Sequence, residues 1–127
     1  MSHVELIKKF YHAFTNMDMA TIHQLCDEQI EWNTLNGMPN GGKYVGLKAV
    51  FEDYFPKMLL NFDEFHATPN EFLESKDNVT VIGKYHGVSK KGKKFNVPFS
   101  HIYDLKENKI MKFRQYTDTQ KIHESLI

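Results

Sequence analysis

The sequence predicts one α+β domain in which three N-terminal helices pack on a strongly curved, mostly antiparallel sheet. Two patterns and a length carry that prediction. Up to Phe55 the apolar residues recur mainly at helical spacing, and from Phe62 onward the period shifts mainly to two. Helices followed by a run of strands is the order in which helices gather on one face of a sheet, and a strongly twisted sheet of that kind curls around them. The open end of the resulting cone makes a pocket. At 127 residues the chain is long enough for one compact core and too short for two ordinary domains, so residues 1–127 read as a single unit.

Each element has a local reason. Ser2-His3-Val4-Glu5 fits a capping box, and Val4, Ile7, Phe10, Tyr11 and Phe14 then form one apolar helical stripe. Asn16-Met17-Asp18 interrupts the stripe, and Asp18 caps a short second helix with Ile22, Leu25 and Cys26 turned inward. Gln29 to Leu35 reads as a strand carrying Trp32, and Asn36 to Gly42, rich in Gly, Pro and Asn, reads as a loop. A third helix starts at Leu47, with Val50, Phe51, Tyr54 and Phe55 on one face, and is expected to be disturbed at Pro56. Short strands over Phe62–Ala67 and Glu71–Glu74 flank Thr68-Pro69-Asn70. Alternating strands follow over Asn78–Val88 and Phe95–Leu105, joined by a basic turn, and Lys109–Thr117 is the last strand.

Composition narrows the function. Sixteen basic and sixteen acidic residues cancel, so net charge draws the chain neither to nucleic acid nor to an anionic membrane. No apolar run approaches the ~20 residues of a membrane span, and the N-terminus lacks the pattern of a secretory signal, so the expected location is the cytoplasm. The single cysteine, Cys26, leaves no disulfide framework or Cys-pair motif. Seven histidines show no paired ligand spacing, so neither a metal nor a cofactor is expected. Gly37 to Tyr44 nearly spells a phosphate loop, but Tyr44 replaces the hydroxyl residue that would meet Mg²⁺, and Pro39 removes an N–H donor.

The last hairpin offers the candidate site. With a two-residue turn at Glu107-Asn108, regular pairing sets Tyr103 against Lys112, His101 against Arg114, Phe99 against Tyr116 and Val97 against Asp118. One face then carries aromatic walls and a few polar groups, as a small-molecule site requires. The same residues also suit a core salt bridge between Arg114 and Asp118, with His101 satisfied by a neighbour.

Tyr11-His12-Ala13-Phe14 followed by Asp18, Ile30-Glu31-Trp32, Tyr44-Val45-Gly46, Val97-Pro98-Phe99-Ser100-His101, and Asn108-Lys109-Ile110 with Arg114-Gln115-Tyr116-Thr117-Asp118-Thr119 occur in an informative order. Together they resemble the SnoaL-like, ketosteroid-isomerase-related branch of the nuclear-transport-factor-2-like superfamily, over nearly the whole chain. The resemblance implies a cone-shaped α+β barrel around an apolar cavity, commonly a homodimer through the outer sheet face. Its members include isomerases, polyketide cyclases, dehydratases, epoxide hydrolases and noncatalytic proteins, so the fold does not choose among activities. The positions of the ketosteroid isomerase tyrosine and its two aspartates fall on Phe10, on Trp32 and near Val97, which argues against steroid isomerisation.

The polyketide cyclases are similar in placing an acid–base aspartate on a late strand near a histidine. That likeness implies Asp118, His101 and Arg114 as catalytic residues, with Trp32, Tyr54, Phe99, Tyr116 and Phe14 lining the cavity. The expected activity is cofactor-independent isomerase, cyclase or lyase chemistry on a small hydrophobic carbonyl compound. The alternative is a noncatalytic ligand-binding or dimerisation module with the same cavity.

Overall fold

The computed structural model describes residues 1–127. Helices α1 (His3–Thr15) and α2 (Met19–Leu25) precede strand β1 (Cys26–Asn33) and the short β2 (Lys43–Val45). A π-helical segment, Lys48–Tyr54, runs directly into α3 (Phe55–Leu59). Four long strands follow, β3 (Phe62–Glu74), β4 (Asn78–Ser89), β5 (Lys94–Lys106) and β6 (Lys109–Thr117), before a C-terminal helix α4 (Thr119–Ser125). The sheet order is β2-β1-β6-β5-β4-β3, and only the β1–β6 pair is parallel. The sheet curls around the helices without closing, with β2 and β3 as its edges. None of the helices is long and apolar enough to cross a membrane.

Both N-terminal caps form as their side chains dictate. The Glu5 N–H donates to Ser2 Oγ at 3.1 Å and the Ser2 N–H to Glu5 Oε2 at 3.4 Å, while the Thr21 N–H donates to Asp18 Oδ1 at 3.2 Å. Between the helices Met17 takes a φ of 55°, which turns the chain sharply. Helix α1 buries Leu6, Ile7, Phe10 and Tyr11 against the concave face of the sheet. The loop from Asn36 to Gly42 packs Met38 into the core, and Gly42 donates its N–H to Thr34 Oγ1 at 3.0 Å. Those interactions leave it a folded turn rather than an anion cradle.

Two expected interruptions are absent. Pro56 does not end the third helix: the π-helical turn before it bonds the Phe55 N–H to the Val50 carbonyl, five residues back, and the helix continues through Pro56 as α3. Pro69 likewise does not divide β3. The strand lies at the sheet edge, where an absent N–H costs no ladder bond, and a bulge between Pro69 and Glu71 absorbs the irregularity. Helix α4 is an addition to the three helices read from the sequence. Asp118 starts it by accepting the Lys121 N–H at 3.1 Å.

The last hairpin changes the register. Glu107 and Asn108 have φ of 52° and 61°, as a type I′ turn requires, and Lys106 faces Lys109. One step later a bulge intervenes, because Leu105 pairs with Ile110 and Asp104 with Lys112, leaving Met111 as the extra residue. Tyr103 therefore pairs with Phe113, His101 with Gln115 and Phe99 with Thr117, in place of Lys112, Arg114 and Tyr116. The physical reason is burial. Ile110 and Phe113 lie three apart, strict alternation would turn one of them to solvent, and the bulge lets both enter the core at 0 % and 2 % exposure. Gln115 comes inward with them, and Arg114 and Tyr116 turn out.

Close strand packing makes glycine obligatory at position 83. A Cβ there would stand 2.2 Å from the Thr68 carbonyl oxygen and 2.6 Å from the Phe99 ring. Gly83→Ala is expected to destabilise the fold by about 1–3 kcal/mol, the usual cost of forced overpacking. Urea denaturation measures it, and an unchanged midpoint would contradict the packing.

Candidate functional site

The concave face of the sheet and the helices enclose a cavity of about 410 Å³. Helix α1 contributes Phe10, Tyr11 and Phe14, β1 contributes Trp32, and Tyr54 and Phe55 close the helical side. The sheet supplies Phe65, Ala67, Tyr85, His101, Tyr103, Phe113 and Gln115. Fourteen of the twenty lining residues are hydrophobic and none is Asp, Glu, Lys or Arg, so the space suits an apolar, uncharged occupant. The aromatic rings brace one another. Trp32 stacks on Phe113 at 3.8 Å between centroids, and Phe14 meets Phe55 edge-on at 4.8 Å.

His101 sits at the centre of a buried polar chain. Its Nδ1 is 2.6 Å from the Tyr11 hydroxyl and its Nε2 is 2.5 Å from the Tyr85 hydroxyl. The Tyr103 hydroxyl donates to Tyr11 at 2.9 Å, and the Gln115 Nε2 donates to Tyr85 at 2.8 Å. The Gln115 amide is oriented in turn, because its Oε1 accepts the Leu35 N–H at 3.2 Å. Strand alternation places these groups together. His101 and Tyr103 are successive inward positions of β5, Tyr85 comes from β4 and Gln115 from β6.

Burial keeps the whole chain neutral. Desolvation holds the His101 imidazole well below its ordinary titration range, and it pushes the Tyr11, Tyr85 and Tyr103 hydroxyls well above theirs. Tyr54 is raised for the same reason, and the buried Cys26 thiol is pushed up to about 12. The chain can therefore donate and accept hydrogen bonds, and pass a hydrogen, without any group carrying charge at neutral pH. At the mouth, Thr68 Oγ1 lies 2.9 Å from His86 Nε2, and His66 stacks on His86 at 5.0 Å between ring centroids. No group of three or more His, Cys, Asp or Glu side chains is placed to hold a metal ion.

Of the residues singled out in the sequence, His101, Trp32, Tyr54 and Phe14 line this cavity. Phe99 stands behind it, stacked on the His101 ring at 3.9 Å. The other three are elsewhere. Arg114 is on the outer sheet face, where a terminal guanidinium nitrogen meets Asp104 Oδ1 at 2.9 Å, and Tyr116 is half exposed on the same face. Asp118 leaves the strand and caps α4, so the Arg114–Asp118 bridge does not form. The Met111 bulge accounts for the first two displacements, and the cap accounts for the third. Tyr11, Tyr85, Tyr103 and Gln115 complete the polar chain; the sequence pattern sets the three tyrosines among apolar positions, whereas the expected register of the last hairpin turns Gln115 outward and the bulge brings it in. The available signal was chemical, since each buried tyrosine hydroxyl needs a partner.

Residues 7–113 match the SnoaL-like domain family. No curated protein matches the chain. Among solved structures, an NTF2-like protein from Burkholderia pseudomallei K96243 is similar at 21% identity and a TM-score of 0.91, over 99% of this chain and 98% of that one. TerC, co-crystallised with polyporic acid, is similar at 25% identity and a TM-score of 0.89, over 97% and 96% of the two chains. A Catenulispora acidiphila DSM 44928 protein with a ketosteroid isomerase-like fold, in complex with trimethylamine, is similar at 15% identity and a TM-score of 0.80, over 96% and 92%.

Proposed function

The chain belongs to the SnoaL-like domain family, and from that premise we propose that it binds a small, uncharged, largely apolar carbonyl compound and moves a proton on it without a cofactor. The observation that carries this reading is the neutral tyrosine–histidine–tyrosine chain on the wall of an otherwise apolar cavity. A tyrosine hydroxyl donates to the substrate carbonyl oxygen and strengthens that bond as enolate charge develops. His101, hydrogen-bonded at both nitrogens, is the group through which the proton is drawn. Isomerisation, cyclisation and elimination all share that step. Polyporic acid in the TerC crystals supports a cavity of this fold as a place for a small organic molecule.

The cytoplasm is the proposed place of action, and a homodimer through the outer sheet face the proposed assembly. Ile82 and Tyr116 stand exposed on that face, and apolar side chains there favour a protein partner. A second reading, a noncatalytic binding module, is favoured by one observation: no carboxylate lines the cavity.

One experiment separates the two readings. Trp32 is the only tryptophan and lines the cavity, so acetophenone is expected to quench its emission saturably. In D₂O the bound ketone is then expected to exchange its methyl hydrogens faster than in buffer, and His101→Gln is expected to lower that exchange by about 10²-fold or more. Quenching without exchange would leave the binding module standing and remove the enzyme.

A further inference from the structure

Four hydrogen bonds join Tyr103, Tyr11, His101, Tyr85 and Gln115 in a row. Those links draw on three hydroxyl hydrogens, the one ring N–H of neutral imidazole, and one amide hydrogen of Gln115. One hydrogen is therefore left over. Its position is constrained from one end, because the Leu35 N–H occupies the Gln115 oxygen and turns the amide nitrogen toward Tyr85. Tyr85 must accept that bond. If His101 carries its hydrogen on Nε2, Tyr85 accepts from it as well, and the Tyr85 hydroxyl hydrogen is the spare one. If the hydrogen is on Nδ1, Tyr85 donates to Nε2 and the spare hydrogen lies at the Tyr11–Tyr103 end. Tyr11, Tyr85 and Tyr103 all line the same cavity, so in either case the spare hydrogen belongs to a residue of the cavity wall.

We propose that Tyr11, His101 and Tyr85 form a switchable hydrogen relay, set by the locked Gln115 amide, whose substrate is a compound that interconverts keto and enol forms. The proposal rests on the ligand-binding reading above and deepens it. An acceptor at Tyr85, such as a carbonyl oxygen, calls for the Nε2–H tautomer, and a donor there, such as an enol O–H, calls for the Nδ1–H tautomer. The step connecting them balances. The enol O–H bond breaks and its hydrogen joins the Tyr85 oxygen, while the Tyr85 hydrogen moves to Nε2. The Nδ1 hydrogen then moves to the Tyr11 oxygen, whose own hydrogen forms the new C–H bond of the substrate. The substrate has shifted one hydrogen from oxygen to carbon, the imidazole has changed tautomer, and no redox partner is needed. Water entering the emptied cavity returns the chain by the reverse transfers. Gln115 touches Tyr85 and acts through it, which makes it a positioning residue.

The test is ¹⁵N NMR of histidine-labelled full-length protein, since the two ring nitrogens of a neutral imidazole differ widely according to which holds the hydrogen. Acetophenone serves as the acceptor-only probe and phenol as the donor probe, with binding of each followed through Trp32 emission. The two probes are expected to drive His101 to opposite tautomers, Nε2–H with acetophenone and Nδ1–H with phenol. In Gln115→Glu, measured at a pH where the ¹³C shift of the new carboxyl shows it ionised, the carboxylate accepts the Tyr85 hydrogen, so Nε2–H is expected with both probes; Gln115→Leu, which lacks both donor and acceptor, should lack this lock. If both probes bind the unsubstituted protein and give the same tautomer, the relay is overturned while the binding site stands. If neither binds, the cavity reading falls first. A Gln115→Glu variant that still switches would overturn the role given to Gln115.

Discussion

Below pH 6.5 the folded protein is expected to lose stability through His101 at about 1.4 kcal/mol per pH unit. The imidazole is buried and held neutral in the native state, whereas in the unfolded chain it takes up a proton near its ordinary 6.5. The unfolded state therefore binds more protons below that pH. Its contribution to stability is fully present above pH 6.5 and is lost as pH falls toward the depressed native value. Carboxylates enter lower. Asn33, then Lys43 and Lys112, hold Glu31 down to about 2 from 4.5, so its contribution disappears only below pH 4.5. Urea unfolding between pH 7.5 and 5 isolates the histidine, and His101→Gln should flatten the difference across that window. Parallel stability curves for the two proteins would show that His101 does not resist protonation.

Phe113→Ala should cost about 3–5 kcal/mol, the range for removing a buried phenylalanine, out of the roughly 5–15 kcal/mol that holds an ordinary domain. The ring is 2 % exposed, stacks on Trp32 at 3.8 Å, and meets the His101 ring at 4.7 Å and Tyr103 at 5.2 Å. Its neighbours are anchored in two strands, Trp32 in β1 and His101 and Tyr103 in β5, and cannot all collapse into the gap. Urea denaturation gives the magnitude, and a red shift of Trp32 emission in the folded variant should report water beside the indole. A loss below 1 kcal/mol would mean that the wall closes over the missing ring. Because Phe113 faces inward only through the Met111 bulge, the same variant tests the hairpin register.

What the sequence reveals of this fold depends on the kind of signal. Caps are read from adjacent residues, so Ser2 with Glu5 and Asp18 with Thr21 could be recognised directly. The inward faces of β4 and β5 were equally plain from alternation, which placed Tyr85, His101 and Tyr103 inside. Arg114 and Tyr116 were placed wrongly because a bulge adds one residue, and one residue exchanges the two faces of a strand. The trace of it was present in the spacing of Ile110 and Phe113. Asp118 was misplaced for another reason: an aspartate beside a threonine is as good a helix cap as a strand-end acid, and α4 lies beyond the last alternating segment. The hydroxyl partners of His101 were not legible at all, since they depend on distances between chain segments as far apart as Tyr11 and Tyr103.

The parallel pairing of β1 with β6 also bears on how the protein reaches its native state. β3 to β6 are successive antiparallel neighbours joined by short turns, so their contacts close small loops. β1 must instead find residues such as Phe113 and Arg114 across the whole intervening chain, from Trp32 and Asn33. Loop-closure entropy and contact order place that docking late in folding, after the meander exists as a template. Until then the wall that carries Trp32 is missing and the aromatic interior of the sheet is open to water. A chain in which β1 has not yet docked, rather than the finished domain, is the form in which so aromatic a sequence is most prone to self-association.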